Sequence, residues 1–123
     1  MPGDKTRLIA VVDDDDGVRQ SLQFLLSATG HRVASYASAA EFLAESDLCS
    51  VAGIILDHHM PKTTGLDLLA RLRGQGWARP VLLVTGSLSS EITDRAANLG
   101  VEHVLEKPVP DSLLFRFVDS LAA

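Results

Sequence analysis

The chain has 123 residues, a formal net charge of −5, and 46% hydrophobic against 22% charged residues, which suits a globular domain with a sizeable core. The acidic balance, with no Lys/Arg-rich block, argues against nucleic-acid binding by this surface, because that affinity comes mainly from cations meeting phosphates. No apolar run approaches the roughly 18 residues of a membrane-spanning helix, and Cys49, the only cysteine, leaves no disulfide framework.

We therefore expect one domain over residues 1–123, located in the cytoplasm and without membrane contact. Met1 to Thr6 is a polar lead-in with Pro2 and Gly3. Arg7 to Val12 is an apolar run that predicts the first strand, and it ends at Asp13 and Asp14. Asp13 to Asp16 form the turn into a helix whose inner stripe is Val18, Leu22, Leu25 and Leu26. Asp15 and Asp16 stand at its start, where carboxylates suit the helix dipole, and Gly30 stops it. His31 to Tyr36 alternates weakly and predicts an edge strand. Ser38-Ala39-Ala40-Glu41 has capping-box spacing and opens a helix to about Ser46.

Val51 to Leu56 is a continuous apolar run leading straight into Asp57, then into the turn His58-His59-Met60-Pro61. It predicts a buried central strand. A helix over about Thr64 to Arg73 follows, ended by Gly74 and Gly76. Pro80 opens a strand that runs to Val84 and delivers Thr85. After the polar loop Gly86 to Ser90, Ser89 or Ser90 caps a helix with Ile92, Ala96 and Leu99 inward, closed by Gly100. Val101 to Glu106 is the last strand and runs into Lys107-Pro108. Asp111 or a neighbour opens the last helix, with Leu113, Leu114, Phe117, Val118 and Leu121 on one face.

Strands alternating with helices predict a parallel sheet covered on both faces. In such sheets ligands bind at the carboxyl ends of the strands. Four strand ends here deliver Asp13 and Asp14, Asp57, Thr85, and Lys107. Crowded carboxylates disfavour joint ionisation, and a hard dication such as Mg²⁺ removes the conflict. A hydroxyl and an ammonium beside them suit a phosphoryl group, and a carboxylate can serve as the nucleophile in phosphoryl transfer. Each residue alone has a plainer reading: the Asp pair as a helix cap, Thr85 as a turn residue, Lys107 as a surface charge. The ordered set carries the functional reading. Zinc at His58 and His59 is disfavoured, since adjacent histidines diverge and no cysteine or HxxxH spacing supports them. No phosphate-binding glycine loop of the GxGxxG or P-loop kind is present.

The ordered set Val12-Asp13-Asp14, Asp57 with Met60-Pro61 and Gly65, Thr85-Gly86 and Lys107-Pro108 resembles the receiver domain of two-component response regulators. The stretch from Val12 through Asp16, Gly17, Arg19 and Ser21 to Leu22 is similar to regulators of the nitrogen-fixation type. The resemblance implies a flavodoxin-like (βα)5 sandwich with sheet order 2-1-3-4-5. It implies that Asp57 accepts a phosphoryl group from a sensor histidine kinase or a histidine phosphotransfer protein. Asp14, Asp57 and the backbone carbonyl of His59 would hold Mg²⁺ (or Mn²⁺), with Asp13 assisting. Thr85 would turn inward on phosphorylation, Lys107 would pair with the phosphoryl group, and Lys107-Pro108 would be cis. Output would pass through the fourth helix, fifth strand and fifth helix, a face carrying Glu91, Asp94, Arg95, Glu102, His103, Arg116 and Asp119, where phosphorylation can also drive homodimerisation. Three positions depart from the common pattern. Val104 stands where many receivers carry an aromatic switch residue. His59 and Ser87 occupy positions that tune the phosphoryl lifetime in the family. The chain would then be a regulated phosphoacceptor rather than an enzyme with a separate substrate, either acting alone through a partner or as one part of a longer regulator. Two alternatives stand beside it: a haloacid-dehalogenase-type phosphohydrolase, which lacks its second aspartate because His59 occupies that place, and a pseudo-receiver that works without phosphorylation.

Overall fold

Among the described residues, four of the five α-helices begin at a side-chain cap. Asp15 accepts from the Val18 amide at 3.0 Å, Ser38 from Glu41 at 3.0 Å, Thr64 from Asp67 at 3.2 Å and Ser89 from Ile92 at 3.2 Å. Each satisfies one of the amides that a helix start leaves without a partner. In the computed structural model, residues 8–121 are described. The elements run β1 (Leu8–Val12), α1 (Asp16–Ser27), β2 (Val33–Tyr36), α2 (Ala39–Glu45), β3 (Val51–Asp57), α3 (Gly65–Gly74), β4 (Val81–Thr85), α4 (Ser90–Asn98), β5 (His103–Glu106) and α5 (Asp111–Ser120). Arg7 and the polar lead-in expected before it lie outside the described residues.

All strand pairs are parallel, and the sheet order is β2-β1-β3-β4-β5, as the resemblance implied. Alternation along the strands divides the core in two. Ala10, Val12, Ile54, Leu56, Val81 and Leu83 face a cluster built with Phe42 of α2, Leu68, Leu69 and Leu72 of α3, and Ala96 of α4. Ile9, Val11, Ile55, Leu82 and Val84 face the opposite cluster, with Leu26 of α1 and Leu114, Phe117 and Val118 of α5. Every residue of β3 is buried, which is why its sequence is continuously apolar rather than alternating.

Differences from the sequence reading are local. The last strand starts at His103 rather than Val101, because the Val101 amide bonds back to the Ala96 carbonyl at 2.9 Å and completes the turn that closes α4. The second strand starts at Val33, because the His31 amide bonds to Leu26 at the end of α1. A 3-10 turn over Leu48–Ser50, capped by Asp47, precedes β3 and was not expected. The Ser38 box is displaced by one residue, since Glu41 takes the Ala37 amide instead of that of Ser38. The full reciprocal box occurs at α3, between Thr64 and Asp67.

Candidate phosphoryl and metal site

Strand parity decides which side chains meet. Asp13 continues the row of Ile9 and Val11, Asp57 continues that of Ile55, and Lys107 that of Leu105. All three therefore project toward the α1 and α5 side. They close one end of an open cleft of about 720 Å³ whose walls are Val18, Leu22 and Leu25 of α1 and Leu114 of α5. Asp13 and Asp57 are buried, whereas Asp14 is exposed. Carboxylate oxygens of Asp13, Asp14 and Asp57 lie within 4.8 Å of one another. The strand ends thus bring together the three acids singled out in the sequence.

Lys107 Nζ lies 3.3 Å from Asp13 and 3.5 Å from Asp57. One ammonium thus serves two buried carboxylates. Burial, and then the charge of Asp13, push the Asp57 carboxyl above its ordinary pKa; the His59 amide and Lys107 offset this only in part. Burial alone would lower the pKa of Lys107, but Asp13 and Asp57 together outweigh it, and its net shift is upward. The site is a negative pocket short of positive charge. Its donors are hard oxygens on two strand ends, which match a small dication and do not match a soft metal.

The turn after β1 is fixed by its own backbone. Asp13 accepts from the Asp15 amide at 2.9 Å, and Arg19 donates to the Asp13 carbonyl at 2.7 Å while also pairing with Asp16. Arg19 was not singled out in the sequence; its place three residues after Asp16 on α1 was the available sign. After β3, the His59 amide donates to Asp57 at 3.2 Å. Gly65 permits the close approach of α3 to this turn, since a Cβ there would stand 2.5 Å from the Asp57 carbonyl oxygen.

Thr85 belongs to the other row. It follows Val81 and Leu83 toward the α2–α3–α4 side and is fully buried. Its hydroxyl meets His59 Nε2 at 2.5 Å and the Ser87 backbone, not Asp57 or Lys107 among the described residues. Sequence gave no sign of the His59 contact, which spans 26 positions. Ser87 is exposed, and its backbone rather than its hydroxyl engages Thr85. Val104 pairs with Leu83 across the ladder and packs on the α4 side, half-buried. His58 Nδ1 accepts from the Leu66 amide at 3.4 Å, and its ring meets that of His59 edge-on. Neither histidine joins the acid cluster through its ring. The Lys107–Pro108 bond is cis, as expected.

The chain is similar to known proteins in sequence and in fold. The chain is 37% identical over 110 residues to the transcriptional regulatory protein FixJ of Azorhizobium caulinodans, covering 89% of this chain and 52% of that protein. It is 35% identical over 112 residues to FixJ of Bradyrhizobium diazoefficiens, covering 91% of this chain and 55% of that one. The chain thus spans about half the length of the curated relatives it matches. Among solved structures, the chemotaxis protein CheY4 of Vibrio cholerae superposes with a TM-score of 0.84 at 26% identity, covering 94% of this chain and 98% of that one. The response regulator receiver domain family matches residues 9–119, so this chain belongs to that family.

Proposed function

We propose that Asp57 is the phosphoacceptor of this receiver domain and that Asp13, Asp14, Asp57 and the His59 carbonyl hold Mg²⁺ or Mn²⁺ beside it. One observation carries the reading: three carboxylates gather at one sheet edge, two of them paired with the Lys107 ammonium. A cation bound there would neutralise charge that builds on the transferring group. The residues do the rest. Asp57 attacks phosphorus with a carboxylate oxygen; an O–P bond forms as the N–P bond of a phosphohistidine breaks, and the electron pair leaves with the imidazole. Lys107 neutralises one phosphoryl oxygen. Thr85, once turned toward the cleft, donates a hydrogen bond to another. The donor is a sensor histidine kinase or a histidine phosphotransfer protein, approaching along the cleft between α1 and α5.

The readout is the face of α4, β5 and α5; Thr85 and Val104 project toward its α4 side. That face passes the state to a partner or to a second copy of the chain. The relatives are named transcriptional regulatory proteins, and we extend a regulatory output, not an independent catalytic one, to this chain. Residues 1–123 act as one receiver unit in the cytoplasm, and His59 and Ser87 set the lifetime of the phosphoryl group. The test is incubation with acetyl phosphate and Mg²⁺, read by intact mass and by a phosphate-affinity gel. The parent chain gains one phosphoryl group and Asp57→Asn gains none. A parent that stays unmodified, or an Asp57→Asn chain that is still labelled, refutes the assignment. Decay of the labelled species then examines lifetime: a His59→Asn chain that decays at the parent rate removes His59 from that role.

A further inference from the structure

Thr85 is held where it is by a complete set of hydrogen bonds. A hydroxyl has one proton and two lone pairs. The proton goes to the Ser87 carbonyl at 3.1 Å, and the Ser87 amide donates back at 3.2 Å. His59 Nε2, at 2.5 Å, takes the remaining place. The imidazole tautomer sets which of the two carries the shared proton. His59 stands in the turn directly after Asp57, and its ring lies beside the β4 end, with Cδ2 4.0 Å from where a Cβ on Gly86 would stand.

We propose that the His59 imidazole is a latch that holds Thr85 in its resting orientation on the α4 side of the sheet. The inference rests on the reading of Asp57 as phosphoacceptor and of Thr85 as a donor to the phosphoryl group. A single hydroxyl proton cannot serve the Ser87 carbonyl and a phosphoryl oxygen together. Thr85 must therefore turn from the α4 side toward the α1–α5 side, and turning breaks the bond to His59. The latch favours the resting state and opposes the phosphorylated one; a group that stabilises one of two states raises the cost of reaching the other. His59 is thus a positioning residue acting through Thr85. Ligand binding at Asp57 and release of the latch are reciprocally linked.

Beryllofluoride with saturating Mg²⁺ is a stable mimic of the phosphoryl group, and its affinity for the full chain can be measured by calorimetry. Loss of one such hydrogen bond from the resting state predicts that His59→Ala binds about two- to tenfold tighter than the parent. His59→Gln retains an N–H donor of similar reach and returns toward the parent value. In a Thr85→Val background the His59→Ala change has no further effect, because nothing remains to be latched. Imidazole ¹⁵N spectra of the unliganded parent show one preferred tautomer at His59, and Thr85→Val loses that preference. A parent that binds no beryllofluoride overturns the phosphoacceptor reading and the latch with it. A parent that binds while His59→Ala binds no tighter overturns the latch alone. An undiminished His59→Ala effect on Thr85→Val, or His59 ¹⁵N spectra that Thr85→Val leaves unchanged, overturns it as well.

Discussion

Gly65→Ala isolates the packing that supports the site. Alanine is normally the better helix former, by about 0.5–1 kcal/mol inside a helix, so α3 alone would gain from the change. The new Cβ, however, would stand 2.5 Å from the Asp57 carbonyl oxygen, 2.9 Å from His58 Cα and 3.0 Å from the Asp57 carbonyl carbon. All three are backbone atoms at the end of β3, which is buried along its whole length, so none can rotate away. Overpacking of this kind costs about 1–3 kcal/mol. The net expectation is a loss of about 1–2 kcal/mol, or a fall in Tm of roughly 4–8 °C for a domain this size. Relief of the clash displaces Asp57, so Mg²⁺ affinity also falls. Gly74→Ala, at the far end of the same helix, meets nothing within 4 Å and should be neutral or stabilising by up to about 1 kcal/mol. Urea unfolding and Mg²⁺ titration of both variants check this. A Gly65→Ala chain as stable as the parent, with unchanged Mg²⁺ affinity, would falsify the close-approach argument.

Asp57→Asn should raise the stability of the metal-free chain at neutral pH, seen as a higher Tm. The folded-state pKa of Asp57 is raised by burial and by Asp13, so its charged form destabilises the fold above that pKa, and stability recovers as pH falls through it. Asp67 has the opposite sign: its bonds to Arg95 and Thr64 hold its pKa below the ordinary 3.8. Its contribution is therefore present above 3.8 and lost as pH falls through the lowered value. Asp67→Asn should flatten that acid limb and cost no more than about 1 kcal/mol at neutral pH, since the pair is half-exposed; an unchanged acid limb in pH-dependent unfolding speaks against it. Leu69→Ala removes a fully buried side chain between α3 and the sheet and should cost about 2–5 kcal/mol in urea unfolding; a loss below 1 kcal/mol would show that the site can collapse.

The sheet and the acid cluster were legible because they depend on patterns that the chain states locally. A continuous apolar run ending in a lone carboxylate marks Asp57 at a strand end, and the same pattern recurs at Asp13, Thr85 and Lys107. What periodicity could not convey was which side of the sheet each strand end serves. Thr85 reads from the sequence as part of one ring with the acids, yet its parity places it on the opposite face. Contacts between distant segments were equally silent. Arg95 bonds Asp67 at 2.8 Å, and Arg73 donates to the carbonyl of Leu99 at 2.8 Å. These meetings follow from the placement of α3 against α4, which no local pattern specifies. The strand starts were misjudged at His31 and Val101, where a turn-closing hydrogen bond to the preceding helix competes with the ladder.

The two-sided core has a consequence for how this domain tolerates change. The wing built on Leu26, Leu114 and Phe117 backs the charged groups, while the wing built on Phe42, Leu69 and Ala96 backs the Thr85 hydroxyl and α4. Repacking the first wing should alter how readily the domain is charged with its chemical message and leave the resting pose of the second intact. On the proposed reading, repacking the second should alter the resting pose of Thr85 and, through its reciprocal link to Asp57, loading as well.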